Sequence, residues 1–282
     1  VSPLGPPVDI PMTLSANFGE LRTDHFHSGI DIKTQGKTGL PVLAAADGFI
    51  SRIGISPGGF GKALYIAHPD GHTTVYAHLR SFTPEVEAWA KNEQYLKKNY
   101  TVNLFPEPGH FPVSRGQQIG LSGNTGSSDG PHLHFEVRNT RNQNPIDPLE
   151  FYRDIPDDMP PIIQSLIVYP LDAGSMVEGK RAKKFFQVSG SKGKYSVQGK
   201  KTLEVYGCFG IGLEAIDYLN HSWNKCGIST LEVLLDGQAI YSHSMDEFSF
   251  SESRYINSHI DYAERISSGR KIQKTFLQPN NR

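Results

Sequence analysis

The stretch Gly130-Pro-His-Leu-His-Phe-Glu-Val137 alternates polar and apolar residues. Such alternation is typical of a β-strand, in which successive side chains point to opposite faces of the sheet. His132 and His134 therefore share one face, while Leu133 and Phe135 point the other way into a core. The stretch predicts a strand that presents two imidazoles side by side.

A second pair of chemically active residues lies in His27-Ser-Gly-Ile-Asp31, where an imidazole and a carboxylate are four residues apart. In extended backbone an even spacing puts both on one face. Gly29 between them allows close approach of backbone or ligand. Two His and one carboxylate, with a fourth position left to water, form a known type of catalytic zinc site. A single His is more often a core or surface residue, but two such pairs together favour a metal site.

His78 brings the set to four histidines and one aspartate. Zinc lowers the pKa of a bound water to about 7, but hydrolysis also needs a base and hydrogen-bond donors for the developing oxyanion. The five side chains are enough to fill these roles. Their spacing alone leaves open which three hold the metal.

Short strand-like runs fill the rest of the first half, at residues 41–50, 63–68, 73–78 and 118–121. Pro69-Asp-Gly71 has the turn chemistry of a hairpin tip. We expect His68 and His72, which flank this tip, on the solvent side.

One stretch interrupts the strand pattern. Residues 84–99 have helical composition, with Val86, Trp89, Ala90 and Leu96 partly on one face. Several prolines follow before strand character resumes. We expect an inserted helix and loop over about 84–112.

The whole chain is predicted to be mainly β and to contain two domains. We place the first at 1–156, and Asp157-Asp-Met-Pro-Pro161 is a stiff linker after it. Short alternating strands over 160–266 predict a small, immunoglobulin-like β-sandwich. They lie at 162–169, 202–206, 212–217 and 229–236. We expect a polar tail over 267–282.

Composition excludes several classes of protein. The 28 basic and 29 acidic residues nearly balance, so the basic field needed for nucleic-acid binding is missing. The sequence contains no run of 18 or more apolar residues, so it predicts no transmembrane segment. Cys208 and Cys226 are too few for a disulfide scaffold. They could pair in an exported protein, but independent burial is favoured. The start at Val1 is interpreted as a mature or engineered start, with any signal peptide already removed.

Five motifs occur in an order that resembles the lysostaphin/LytM-type zinc metallopeptidases, over roughly residues 14–151. They are His27-Ser-Gly-Ile-Asp31, Tyr76-Ala-His-Leu79, Gly116-Gln-Gln-Ile-Gly120, Ser122-Gly-Asn-Thr-Gly126 and Gly130-Pro-His-Leu-His-Phe-Glu136. The resemblance implies a compact, mainly antiparallel β-domain with a groove over one Zn²⁺. It also implies that His27, Asp31 and His134 are the metal ligands. His132 would be the general base, and His78 would orient water and stabilise the transition state.

The same resemblance implies a metalloendopeptidase that cuts peptidoglycan stem peptides or cross-links. An enzyme of this kind is exported to the periplasm, the envelope or the medium. Some members of the family are inactive, so the alternative is a non-catalytic peptidoglycan-binding or hydrolase-activating module. This chain keeps all five site positions, which favours the enzyme.

Three features leave alternatives open. Ser128-Asp129 stands where the family often has Ser-Thr, and its carboxylate is expected to tune specificity. The insertion at 84–112 follows His78 and is expected to wall the groove. Glu136 continues the face of His132 and His134. It is interpreted either as a partner for a ligand's second nitrogen or as a plain surface glutamate.

Overall fold

A computed structural model describes residues 4–199 and 202–278. The described residues divide into two compact units that interleave along the chain. The first takes residues from 1–18, 28–156 and 247–249. The second takes residues from 19–27, 157–246 and 250–282. None of the helices in the described part is both long enough and apolar enough to cross a membrane.

The described part of the first unit contains twelve short strands. They are β1 (Leu14–Ala16), β2 (Ile30–Lys33), β3 (Pro41–Leu43), β4 (Gly48–Ile55), β5 (Lys62–Ala67), β6 (His72–Ala77), β7 (Ser81–Phe82), β8 (Val102–Leu104), β9 (Pro112–Val113), β10 (Gln118–Leu121), β11 (His132–Asn139) and β12 (Pro145–Ile146). A 3₁₀ turn, Pro148–Glu150, follows β12. The strands predicted in this half are confirmed.

These strands pair antiparallel throughout. The larger sheet runs β1-β2-β11-β6-β5-β4-β8, with β12 on β11 and β9 on β4, and a smaller sheet runs β3-β10-β7. The prediction of a mainly antiparallel β-domain is therefore confirmed. Strand β11 lies inside the larger sheet, between β2 and β6, so backbone partners flank it on both sides.

Burial on β11 follows its alternation. Leu133, Phe135 and Val137 are fully buried on one face, where Phe135 packs edge-on against Tyr76 at 5.3 Å between ring centroids. His134 and Glu136 on the opposite face are buried as well. Strand β11 is therefore buried on both faces: one face packs into the apolar core, and the other carries buried polar side chains.

The predicted helix is present as α1 (Pro84–Lys97). Pro84 fits the first turn because its missing N–H would have no partner there. The helix ends where Lys98 adopts left-handed backbone, with φ 49°. Val86 and Ala90 are buried, but Leu96, expected near the same face, is 68% exposed.

The prediction that His68 lies on the solvent side is wrong. This side chain is buried, with Nδ1 2.8 Å from the carbonyl oxygen of Asp47 and Nε2 2.8 Å from Oγ1 of Thr74. Both ring nitrogens thus have partners inside the sheet, which offsets the cost of burying them. Burial lowers the pKa of His68.

The second unit is also mainly β. Its strands are β13 (Ile162–Pro170), β14 (Met176–Val177), β15 (Lys184–Ser191), β16 (Lys194–Val197), β17 (Val205–Tyr206), β18 (Phe209–Ile216), β19 (Thr230–Leu235), β20 (Gln238–Ser244) and β21 (Gln273–Lys274). Short helices follow β20, namely a 3₁₀ turn Ser253–Tyr255, α2 (Ile256–His259) and α3 (Tyr262–Ser268).

Among the described residues of this unit, one sheet runs β16-β15-β13-β18-β21, and β14-β17 and β19-β20 form separate pairs. Strand β21 lies within the predicted polar tail and pairs with β18. Residues 279–282 of that tail are outside the described part of the chain. Cys208 is exposed and Cys226 buried, and both thiols are free.

Candidate metal centre and active site

The register of the larger sheet brings two of the predicted ligands together. Asp31 on β2 is the direct cross-strand partner of His134 on β11. Paired residues on adjacent antiparallel strands point to the same face. Oδ1 of Asp31 consequently lies 2.9 Å from Nδ1 of His134.

The third predicted ligand, His27, lies before β2, which begins at Ile30. Each of His27, Asp31 and His134 offers a ligand atom within 4.8 Å of the other two, and all three are buried. Two imidazole nitrogens and one carboxylate oxygen are donors that suit zinc, and they leave a fourth tetrahedral position free. The donor set therefore fits a single zinc ion.

Gly29 allows the chain between His27 and Asp31 to lie against β11. A Cβ atom at this position would lie 2.2 Å from the carbonyl oxygen of Phe135 and 2.8 Å from Cγ of Glu136. No larger residue fits without moving the strand, because such distances are far inside van der Waals contact. The close approach predicted for Gly29 is confirmed.

His134 has an acidic partner at each ring nitrogen. Nδ1 faces Asp31, and Nε2 lies 2.9 Å from Oε1 of Glu136. Burial by itself lowers the pKa of His134, but its hydrogen bonds to Asp31 and Glu136 outweigh burial and raise the pKa to about 9. Without a metal, this imidazole therefore carries a proton on both nitrogens at neutral pH.

His132 and His78 are held differently, by backbone carbonyls. Nδ1 of His132 lies 2.8 Å from the oxygen of Gly130, and Nδ1 of His78 lies 2.8 Å from the oxygen of Thr125. A carbonyl oxygen only accepts hydrogen bonds, so each Nδ1 carries the proton. In the neutral form, each Nε2 is then an acceptor. The two rings lie 4.8 Å apart, and Nε2 of His132 is 3.5 Å from Oδ1 of Asp31.

His78 follows the end of β6 and has left-handed backbone, with φ 59°. A non-glycine residue in this region is unusual and is found preferentially at functional sites. Burial, reinforced by the nearby His134 and His132, lowers the pKa of His78 to about 4. Its side chain is therefore neutral near pH 7.

The glycine-rich loop before β11 fixes these carbonyl acceptors. A Cβ atom at Gly123 would lie 2.3 Å from the backbone nitrogen of Arg80, so only glycine allows this approach. Thr125 anchors the loop by donating from Oγ1 to the carbonyl oxygen of Leu79 at 2.9 Å. The loop thus holds the Thr125 carbonyl in position to accept a hydrogen bond from His78.

Sequence reasoning missed three contributors to this face. Ser128, noted only as a departure from the family pattern, has Oγ 2.9 Å from the Gly130 oxygen and 3.2 Å from Nδ1 of His132. Arg138 extends the alternation of β11 by one more step. Phe60 packs against the ring of His134 at 5.1 Å between centroids. Asp129, in contrast, is exposed.

Comparison with known proteins agrees with this geometry. The model of Peptidase family M23 matches residues 25–103 and 107–148, which include all five site residues. Residues 25–148 therefore match the sequence pattern of peptidase family M23. This match confirms the resemblance to lysostaphin/LytM-type enzymes. M23 metallopeptidases depend on zinc, and His27, Asp31 and His134 could hold the ion.

Part of the chain is similar to curated proteins, among them the following three. An uncharacterised metalloprotease of Haemophilus influenzae is 34% identical over 121 residues, 43% of this chain and 20% of that protein. The DD-carboxypeptidase/endopeptidase Mpg of Neisseria meningitidis is 34% identical over 137 residues, 49% of this chain and 25% of that protein. The peptidoglycan DD-endopeptidase ShyA of Vibrio cholerae is 32% identical over 137 residues, 46% of this chain and 26% of that protein. The matched part of the chain thus spans about a quarter or less of each relative.

Proposed function

We propose that this chain is a zinc-dependent metalloendopeptidase that hydrolyses peptide bonds in the stem peptides or cross-links of peptidoglycan. The observation that carries the proposal is the juxtaposition of the donor set His27, Asp31 and His134 with two further histidines. The Nε2 atom of His132 lies 3.5 Å from Asp31, so a base stands beside the metal position.

The substrate class rests on the names of the relatives. Two of the three are named as peptidases with DD-endopeptidase or endopeptidase activity, and one name specifies peptidoglycan. Peptidoglycan lies outside the cytoplasmic membrane, so we also propose that the chain works in the periplasm, at the envelope or in the medium.

His27, Asp31 and His134 would hold the zinc ion, which would supply Lewis-acid chemistry when bound. We assign the proton transfers to His132. Its Nε2 takes a proton from the attacking water and returns it to the nitrogen of the leaving amine. The bond from its Nδ1–H to the Gly130 oxygen stabilises the imidazolium between these two steps.

His78 is assigned to orientation of water. In its neutral form the Nε2 atom accepts a hydrogen bond from water, because Nδ1 donates to Thr125. Stabilisation of a developing oxyanion, the second role expected for His78, requires that Nε2 carry a proton. The low pKa of His78 therefore supports the first role more strongly at neutral pH.

The parts of the chain outside the metal centre have proposed roles as well. We propose that α1 and the loop after it, at about 84–112, are an insertion relative to small family members and line the substrate groove. The second unit is proposed to be an immunoglobulin-like β-sandwich that docks or positions the peptidase. Truncating the chain after residue 156, which keeps His27, and measuring cleavage of a small peptide tests this role, since a docking module is dispensable for small substrates.

Digestion of purified peptidoglycan tests the central proposal. The wild type with zinc should release soluble muropeptides, and a chelator should stop the release until zinc is restored. His132→Ala should lose this activity, whereas His72→Ala, which changes a histidine outside the site, should keep it. If the zinc-loaded wild type releases nothing but binds the polymer, the non-catalytic binding or activating module replaces the enzyme.

A further inference from the structure

Strand β11 carries more polar residues than the proposed reaction uses. His132, His134, Glu136 and Arg138 are two residues apart and therefore share one face of the strand. The first two belong to the proposed reaction. Glu136 is fully buried and Arg138 is 5% exposed, so two charged side chains lie inside the first unit next to the metal ligands.

Each carboxylate oxygen of Glu136 has a distinct set of partners. Oε1 accepts from Nε2 of His134 at 2.9 Å and from the hydroxyl of Ser28. Oε2 accepts from Nε of Arg138 at 2.5 Å and also from Nη2 of the same guanidinium. One oxygen therefore faces the metal ligands and the other is held by a cation.

Aromatic rings hold the guanidinium in place. Cζ of Arg138 lies 5.3 Å from the ring centroid of Tyr65 and 6.0 Å from that of Phe60. Phe60 also packs against the ring of His134. The carboxylate is thus held by packing and hydrogen bonds on the side away from the metal centre.

The stability of the fold does not by itself explain the buried ion pair of Glu136 and Arg138. Burying two charges costs as much as their attraction returns, and apolar residues of similar size are often equally stable or more so. The geometry offers a different reason. A carboxylate at Nε2 requires the proton on that nitrogen, so the lone pair of a neutral His134 lies on Nδ1, beside Oδ1 of Asp31.

We propose that Glu136 is a positioning residue for the metal site. Its Oε1 fixes both the tautomer and the ring orientation of His134, and through Ser28 it also tethers the residue that follows His27. Arg138, which donates to Oε2, holds the Glu136 carboxylate in the orientation that places Oε1 at Nε2 of His134. The inference rests on the zinc site of the proposed function, and it assigns this buried ion pair to metal affinity rather than to fold stability.

The test measures zinc affinity, not turnover, at one fixed pH. Zinc dissociation constants are determined by competition with a chromophoric chelator, and thermal unfolding of the zinc-free protein reports the fold. In Glu136→Gln, Arg138 takes the single amide oxygen and His134 loses its acceptor. We expect zinc affinity to fall roughly 10- to 100-fold. Glu214→Gln, which neutralises the partner of Arg270 in the second unit, is the matched control and should leave zinc affinity unchanged.

The double variant Glu136→Leu with Arg138→Met separates positioning from structural support. It removes both charges together, so the zinc-free protein should still fold and unfold cooperatively, destabilised only by the His134 and Ser28 donors that lose their acceptor. Zinc affinity should remain as low as in Glu136→Gln, because Nε2 of His134 still has no acceptor. Wild-type affinity in the folded double variant overturns this inference alone. Absence of zinc binding by the wild type overturns the proposed metal site, and this inference with it.

Discussion

Asp31 and His134 face each other across two adjacent strands, with Oδ1 of the carboxylate 2.9 Å from Nδ1 of the imidazole. This relationship follows from the register of β2 on β11, which pairs the two residues directly. Because both nitrogens of His134 face carboxylates, the metal-free site holds a proton where the metal site needs a lone pair.

The first prediction concerns the pH dependence of the zinc-free protein. The pKa of His134 is raised to about 9 in the folded state, against about 6.5 for an unfolded histidine. The folded chain therefore binds more protons than the unfolded chain between pH 6.5 and 9. The contribution of His134 to the free energy of unfolding is complete below pH 6.5 and is lost as the pH rises through 9.

Urea unfolding of the zinc-free wild type and of Asp31→Asn at several pH values between 6 and 9.5 checks this. The loss of stability with rising pH should be smaller in the variant, because one of the two acceptors that raise the pKa has been neutralised. If stability falls with rising pH equally in the wild type and in Asp31→Asn, His134 is not the cause of that fall.

The second prediction concerns Gly29. A methyl group there would overlap the Phe135 carbonyl, so Gly29→Ala should push β2 away from β11 and destabilise the protein by about 2 kcal/mol or more. Zinc affinity should fall as well, because Asp31 lies on β2. Gly54→Ala is the matched control, since no atom lies nearer than 4.0 Å to its added Cβ. Equal stability and equal zinc affinity of the two variants would argue against the close approach.

The third prediction concerns the tautomers of His78 and His132. Both rings donate from Nδ1 to a backbone carbonyl, so ¹H–¹⁵N spectra at neutral pH should show the Nδ1–H form for each neutral ring. His68, whose ring nitrogens both have partners elsewhere in the first unit, serves as an internal reference for assignment. An Nε2–H tautomer at His132 would leave Nε2 without a lone pair to accept a proton and would contradict its role as the base.

The fourth prediction concerns His259 in the second unit. This side chain is buried beside His243, with 4.6 Å between ring centroids, and Nε2 lies 3.3 Å from Oε1 of Gln273. Burial, together with the neighbouring His243, lowers its pKa to about 4. The unfolded chain takes up a proton near pH 6.5, so stability falls as the pH drops from 6.5 to 4, by up to roughly 3 kcal/mol.

Thermal unfolding of the zinc-free protein from pH 7 to pH 4 measures this loss. In His259→Gln the decline should be shallower, because glutamine takes up no proton. Gly54→Ala, which removes no titrating group, should keep the wild-type slope. An equally steep decline in His259→Gln would show that other groups dominate acid unfolding.

Much of the first unit could be predicted from local sequence. The alternation of β11 and the turn residues at positions 69–71 are signals that lie within a few residues of one another, so the strands around them were predicted within two or three residues. In the second unit β15, β16 and β20 were missed. Most of their residues are exposed or half-exposed, so no strict alternation marks a buried face.

The site was predictable to a similar degree. Same-face geometry pointed to His132 and His134, and the family resemblance supplied the ligand set that the structure brings together. The supports escaped prediction because they depend on strand register and loop packing. Nothing local relates Ser28 to Glu136, 108 residues away, and nothing local shows that the Thr125 carbonyl meets His78.

The most direct test of the account is the zinc content of three purified proteins, measured beside their release of muropeptides. The wild type should carry one zinc ion per chain and cleave. His132→Ala should carry the same zinc and fail to cleave, and His134→Ala should lose both. Full zinc occupancy and wild-type cleavage in His134→Ala would contradict the proposed metal centre.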